Sequence, residues 1–314
     1  MGEFELIDRI ARRVRPSSSV VLGIGDDAAV LQPSAGHVLV VTTDSLVLGR
    51  HFTERWSPAD IGHLAMAANL SDLAAMAAKP RWVLLSLTLP EADEAWLDGF
   101  LDGFLALAER FDTSLVGGNI SSGPLNIGVQ LLGEALPETV ARRSGVCSGD
   151  LLAVTGTLGD AAAALSLGDQ AGPDLLERLR RPEPRVKAAQ ALAGQVNGMI
   201  DISDGLLADL GHLLKSGLGA ELDLAALPAS QALRSGVRDQ ERRWALQAGG
   251  GNDYELLMAM APECFDSAAA ACAKSGLALT VIGRVTQQAG ILCLDDRGET
   301  IVIEHGGWDH FGSS

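Results

Sequence analysis

Positive charge is scarce in this chain. Its 314 residues carry 24 Lys and Arg against 40 Asp and Glu, a formal net charge of −16. A nucleic-acid binder presents a basic face, so nucleic acid is not an expected partner. Long apolar runs are missing as well. No uninterrupted stretch reaches the roughly 18 residues of a membrane span, so no membrane partner is expected either. The start, Met1-Gly2-Glu3-Phe4-Glu5, is acidic and lacks a signal-peptide pattern, and a cytoplasmic protein is the expectation. Cysteine is sparse: Cys147, Cys264, Cys272 and Cys293 form no C-x-x-C pair and have no His at zinc-finger spacing. They read as buried small hydrophobes in a reducing compartment.

Familiar catalytic signatures are also missing. There is no G-x-x-x-x-G-K-[ST], and Gly23-Ile24-Gly25 lacks the third glycine of a dinucleotide fingerprint. Neither H-E-x-x-H nor G-x-S-x-G occurs, and the six histidines are scattered. No covalent nucleophile is evident. Metal-organised phosphoryl transfer survives these exclusions, because there positioning and charge neutralisation do most of the catalysis.

What the chain does have is acid in knots. Hydrophobic content of 47% and charged content of 20% fit a compact soluble protein, long enough for two domains. Gly23-Ile24-Gly25-Asp26-Asp27 places adjacent carboxylates on a glycine-hinged turn. Like charges so close repel, and a hard cation such as Mg2+ would neutralise them. A solvated turn is the other reading. Val38 to Val41 reads as a strand delivering Thr42, Thr43, Asp44 and Ser45 at its C-terminal end, followed by Arg50, His51 and Phe52. Ser57-Pro58 is a helix start, a capping hydroxyl before proline. The helix carries Asn69-Leu70-Ser71-Asp72 in an alanine-rich run that suggests close packing and is expected to stop at Pro80. Asp72 is either buried with a partner or on an exposed face.

A strand over residues 82 to 89 and an amphipathic helix over 91 to 111 follow. Gly117-Gly118-Asn119 after Leu115-Val116 is either a backbone approach to phosphate or a hairpin turn. A polar connector over residues 134 to 150, holding Arg142 and Arg143, marks a domain boundary. Residues 168 to 185, rich in Pro and Arg, read as an exposed loop with a short helix. The second knot is Asp201-Ile202-Ser203-Asp204-Gly205-Leu206-Leu207-Ala208-Asp209. A helix beginning near Ser203 would aim its amides at an anion, although a capping aspartate explains either acid alone. Gly249-Gly250-Gly251-Asn252-Asp253-Tyr254-Glu255 suggests a close-approach loop before a strand, and Trp308-Asp309-His310-Phe311 an aromatic tail that docks on the core or stacks on a ligand.

Taken together, Gly2-Glu3-Phe4, Gly23-Ile24-Gly25-Asp26-Asp27, Thr43-Asp44, His51-Phe52, Asn69-Leu70-Ser71-Asp72-Leu73-Ala74-Ala75-Met76, Gly117-Gly118, Asp201-Ile202-Ser203-Asp204-Gly205-Leu206, Asp253-Tyr254-Glu255-Leu256 and Trp308-Asp309-His310-Phe311 closely resemble the thiamine-monophosphate kinase family. The resemblance runs in order from residue 2 to residue 311. It implies phosphorylation of thiamine monophosphate to thiamine diphosphate with ATP and Mg2+. It implies an α/β and α+β, two-domain fold of the aminoimidazole ribonucleotide synthetase type. Residues 1–136 would form an N-terminal ATP- and Mg-binding domain whose strands pair across a homodimer, and residues 137–314 a C-terminal α+β domain.

Carried over position by position, the resemblance makes Asp27, Thr42, Thr43, Asp44 and Asp72 the magnesium ligands of the first domain. Asp201 and Asp204 take that role in the second, with Asp44, Asp72 and Asp204 the catalytic acids. Gly118, Asn119, Arg143 and Ser203 fall where ATP is held, and His51, Asn252 and Trp308 where thiamine monophosphate sits. Asn119 stands where many relatives have an Asp that ligates Mg2+, and Asn252 where many have Glu. An amide oxygen still ligates a cation but brings no charge. Two other readings are a catalytically weak paralogue that binds thiamine phosphates, and another ATP-using enzyme of the superfamily. Members of the latter that use a reactive N-terminal or terminal Cys are disfavoured, since no cysteine precedes Cys147 and the chain ends Gly312-Ser313-Ser314.

Overall fold

The structure, a computed structural model, describes residues 2–215, 217–304 and 306–307. It divides into two compact units. One is built from the chain up to Leu73 with Ala78–Pro137, the other from Ala74–Ala77 with the chain from Glu138 onward.

The first unit begins with α1 (Glu3–Ala11) and a small antiparallel pair, β1 (Val20–Leu22) and β2 (Val30–Leu31). It continues through β3 (Val38–Val47), α2 (Pro58–Ala75), β4 (Lys79–Leu89), α3 (Glu94–Arg110), β5 (Ser114–Ser122) and β6 (Asn126–Ala135). The four long strands form one sheet in the order β3-β6-β4-β5. α2 is apolar around its whole circumference and is accordingly buried, with Leu64, Ala65, Met66, Ala67, Leu70, Leu73 and Ala74 all nearly sealed from solvent. Its small residues permit a close crossing with α3. A Cβ on Gly62 would lie 2.0 Å from the Phe100 carbonyl oxygen, and one on Gly103 would lie 1.8 Å from that of Ala59. The Asp93 carboxylate caps α3 by accepting from the amides of Ala95 and Trp96, which is why that helix starts later than periodicity suggests.

Three boundaries differ from expectation. β3 runs on through residues 42 to 45, so these side chains alternate across the sheet instead of sharing a strand end. α2 stops before Pro80. Ala77 adopts the left-handed conformation (φ 54°), and the Ala78 amide reaches back to the Leu73 carbonyl at 2.9 Å, closing the helix as a Schellman turn. Pro80 then lies inside β4, beside a register shift. The pair Gly117-Gly118 lies within β5, so it is neither a hairpin turn nor a loop.

The second unit contains β7 (Leu151–Thr155), α4 (Asp160–Leu167), α5 (Pro173–Arg180), α6 (Val186–Leu192), β8 (Gly198–Ile202), α7 (Leu206–Leu213) and β9 (Gly219–Asp223). After these come α8 (Gln231–Gly236), α9 (Gln240–Gly249), β10 (Glu255–Met260), α10 (Phe265–Ala273), β11 (Leu279–Thr286), β12 (Gly290–Leu294) and β13 (Thr300–Ile301). Seven strands form one mixed sheet, β13-β12-β9-β11-β7-β10-β8, in which only the β9–β12 pair is parallel. Its core gathers Leu152, Val154, Ile200, Ile202, Leu206, Leu210, Leu222, Trp244, Leu257 and Ile282. Among the described residues no helix is long and apolar enough to cross a membrane.

The cysteines divide. Cys272 and Cys293 are buried, and burial pushes both thiols up. Cys264 is half-buried and Cys147 is exposed, contrary to the expectation that all four are core residues. Two outcomes follow from this packing. A thiol-reactive dye added to native protein is expected to label Cys147 first and to reach Cys272 and Cys293 only in denaturant, as peptide mass spectrometry would record. Gly62→Ala is expected to lower stability by about 3 kcal/mol through overpacking of the α2–α3 crossing, read from the urea midpoint.

Candidate active site

In the first unit Asp27 sits at the exposed tip between β1 and β2, where its amide donates to the Asp26 carboxylate at 2.8 Å. Thr42 and Asp72 are brought together from β3 and α2: the Thr42 hydroxyl donates to the Asp72 carboxylate. Asp72 is half-buried, so of the two readings of this residue the partnered one holds. Asp44 follows Thr42 by two residues on β3 and therefore shares its sheet face. Thr43 points to the other face. Its hydroxyl donates to the Val129 carbonyl at 3.1 Å and accepts from Gln130. A hydroxyl so placed is turned away from Asp44 and Asp72.

Register locates the glycine pair. Asp44 pairs with Val129, Val129 with Leu85, and Leu85 with Gly118, so Asp44 and Gly118 lie in one row across the sheet. Three strand spacings separate them, about 14 Å. Asn119 lies in the next row with Ser45, Gly128 and Ser86, its side chain on the face opposite to Asp44. Within one chain the sheet thus keeps Asn119 apart from the Asp44 group. Position 118 must be glycine, since a Cβ there would meet the Leu85 carbonyl oxygen at 1.8 Å. His51 folds back on the end of β3, where its Nδ1 accepts the Val47 amide at 2.9 Å. That bond places the hydrogen of the neutral imidazole on Nε2.

In the second unit Asp201 is buried in β8 opposite Leu256 of β10. Arg143 is exposed on the segment beside the start of β8, where the Met199 amide donates to the Arg142 carbonyl at 3.0 Å. Ser203 and Asp204 form the turn between β8 and α7. The amide of Asn252 donates to the Ser203 carbonyl at 2.8 Å, joining the second acidic knot to the glycine loop. A Cβ on Gly251 would come within 2.5 Å of the same carbonyl oxygen, so the loop approaches as closely as backbone allows. Asn252 and Tyr254 both hold positive φ, 65° and 51°. For tyrosine this is a strained conformation, of the kind retained at working sites. The structure thus brings Ser203, Asp204 and Asn252 together. Trp308 lies outside the described residues.

The expectation that amides at Ser203 aim at an anion is corrected. α7 begins at Leu206, and the amides of Ser203, Asp204 and Gly205 all donate to one oxygen of Asp209, each at 3.1 Å. Burial pushes the Asp209 carboxyl up to about 6, opposed by these amide bonds and reinforced by the Asp204 charge. The only sign of this arrangement in the sequence is an aspartate one helical turn into an otherwise apolar segment.

The segment of residues 168 to 185 holds the expected short helix, α5, and many exposed positions, but two of its arginines turn inward. Arg178 Nη2 and Arg185 Nε donate to the fully buried Glu255 carboxylate at 2.8 and 2.7 Å, and the Thr155 hydroxyl adds a bond at 2.7 Å. Asp253, also buried, accepts the Gly159 amide at 2.9 Å. Burial pushes the Asp253 carboxyl well up, against the pull of that amide and of Arg178. These contacts hold the middle of the strained 252–254 stretch and the residue that follows it. Nothing in the sequence paired those arginines with Glu255, because charge partners 70 or more residues apart leave no local pattern.

Two family models describe the chain. AIR synthase related protein, N-terminal domain, matches residues 25–135, and the corresponding C-terminal domain matches residues 148–292. Fold and site therefore define the AIR synthase-related class, a two-domain α/β and α+β architecture as the resemblance implied. The thiamine-monophosphate kinase of Escherichia coli (strain K12) is 44% identical over 99% of both chains. The crystal structure of thiamine-monophosphate kinase from Stenotrophomonas maltophilia K279a is 42% identical, with a TM-score of 0.87 over 96% of this chain and 98% of that one. AaThiL, solved in complex with AMPPCP and TMP, is 34% identical, with a TM-score of 0.77 over 99% of this chain and 97% of that one. The chain belongs to the thiamine-monophosphate kinase family.

Glu255→Gln is expected to cost on the order of 3–5 kcal/mol, because it leaves buried guanidinium charge without its counter-ion. Chemical denaturation of wild type and variant checks this.

Proposed function

We propose that the protein phosphorylates thiamine monophosphate with ATP, giving thiamine diphosphate and ADP by direct in-line transfer. The observation that carries this reading is 44% identity over 99% of both chains to a thiamine-monophosphate kinase. The site chemistry agrees with it. The acceptor is a phosphate oxygen, already ionised at neutral pH, so the transfer needs no strong base. The Val47 amide holds His51, a residue assigned to the substrate in this reading, by its Nδ1 at the end of β3.

Mg2+ fits the donors present. Asp27, Asp44, Asp72, Asp201 and Asp204 offer carboxylate oxygens, Thr42 a hydroxyl, Thr43 a carbonyl and Asn119 an amide oxygen, all hard ligands. Among the described residues no three acidic, His or Cys side chains converge into a cage. Mg2+ accepts such partial sets, because it keeps waters and takes phosphate oxygens as further ligands. When bound it supplies the positive charge that lets two anions approach within a protein of net charge −16. The chain's own part is positional. Asp44 and Asp72 face one side of the first sheet. In the second unit the Asn252 amide is fastened to the Ser203 carbonyl beside Asp204. Gly118, Asn119, Arg143 and Ser203 are the residues assigned to ATP in this reading, and His51, Asn252 and Trp308 those assigned to thiamine monophosphate.

The working form in this reading is a cytoplasmic homodimer, with residues 1–136 as its ATP-binding and dimerising domain and residues 137–314 as the C-terminal domain. Leu39, Val41 and Val47 leave apolar surface exposed on β3, which supports pairing of this sheet with a second copy. The separation of Asp44 and Asn119 to opposite sheet edges supports it too, since a set holding both is then completed by the partner.

Purified protein with ATP, Mg2+ and thiamine monophosphate is expected to yield thiamine diphosphate, followed by chromatography. Asp44→Asn and Asp204→Asn are expected to lower kcat by a factor on the order of 100 with unchanged melting temperature. Calorimetric binding of thiamine monophosphate without turnover would overturn this reading in favour of a binding paralogue.

A further inference from the structure

The 203–205 turn has an internal brace that the proposed chemistry does not use. Asp209 is 3% exposed, one turn into α7. A single oxygen of its carboxylate accepts the amides of Ser203, Asp204 and Gly205. From the other side the 249–252 loop closes on the same turn: the Asn252 amide donates to the Ser203 carbonyl, and a Cβ on Gly205 would lie 2.9 Å from the Gly249 carbonyl oxygen. The backbone of residues 203–205 is therefore gripped on both sides, and its amides are spent inside the protein. What the turn has left to present outward is side chains, the Ser203 hydroxyl and the Asp204 carboxylate, both half-buried.

We propose that Asp209 is a positioning residue, whose buried carboxylate oxygen holds the 203–205 turn in the one conformation that aims Asp204 and Ser203 at the metal–nucleotide. This rests on the reading of Asp204 and Ser203 as Mg2+ and ATP residues. The physical ground is economy of backbone donors. Three successive amides in a tight turn have no strand or helix partner, and a buried unpaired amide costs about 1–3 kcal/mol. One acceptor satisfies all three only if the turn keeps a single curvature. Without it the amides seek water, the turn opens, and Asp204 loses its fixed direction. Since one neutral oxygen can accept the same three bonds, the role belongs to the acceptor and not to the negative charge. A group needed merely to fill the core would tolerate an apolar replacement of similar size.

The test compares Asp209→Asn, Asp209→Leu and wild type. Hydrogen–deuterium exchange of the peptide spanning residues 199–210 reads the turn directly. Titration calorimetry with AMPPCP at several Mg2+ concentrations reads the site without turnover. Asp209→Leu is expected to speed exchange in that peptide at least 10-fold, with peptides of β7 and β11 unchanged, and to weaken Mg2+-dependent AMPPCP binding about 10-fold. Asp209→Asn should restore most of both. Wild-type exchange and binding in Asp209→Leu would overturn the proposal. So would an equal loss in Asp209→Asn, which remains decisive if the leucine variant does not fold. A wild-type protein that forms no thiamine diphosphate would defeat the kinase reading alone, because exchange still reports on the brace.

Discussion

A carboxylate removed from water must be given donors, or it will not stay ionised and the fold will not tolerate it. This constraint organises much of the molecule. Glu255, with no exposed surface, collects Arg178, Arg185 and Thr155. Glu134 takes the amide and hydroxyl of Ser34, and lies 3.2 Å from the Arg81 guanidinium. Asp253 takes the Gly159 amide, and Asp209 the amides of residues 203–205. Each partnership joins segments that the hydrophobic core alone would leave free to slide. The buried acids thus fix the loops, while Asp27 stays exposed and Asp44, Asp72 and Asp204 half-buried.

The same division explains the backbone strain. Asn252 and Tyr254 hold positive φ on either side of Asp253, which is anchored on Gly159; the Asn252 amide is tied to the Ser203 carbonyl and the following Glu255 to the two arginines. Strain of this kind persists only where the surroundings over-determine it. Glycine serves the complementary need, close approach. Gly251 lies against the Ser203 carbonyl, Gly118 against that of Leu85, and Gly62 and Gly103 let two helices cross. In every case a methyl group would occupy the space of a backbone atom.

In the first unit the sheet acts as a divider. Alternation along β3 puts Thr42 and Asp44 on one face and Thr43 on the other, and the β3-β6-β4-β5 order puts Asn119 at the far edge. Residues adjacent in the chain are therefore separated by geometry.

Much was legible from residues alone. The start of α2 at Pro58 and the succession of β and α segments follow from local pattern, because side-chain type and short-range periodicity are local properties. The family followed from motifs in fixed order. Other features required the folded chain. The stop at Ala77, the Asp209 brace, the arginines on Glu255 and the opposite faces of Thr43 and Asp44 depend on which distant segments meet and in what register. Sequence determined where carboxylates, hydroxyls and glycines cluster along the chain; tertiary structure decided which of them share a face, since burial and direction arise only when remote elements pack.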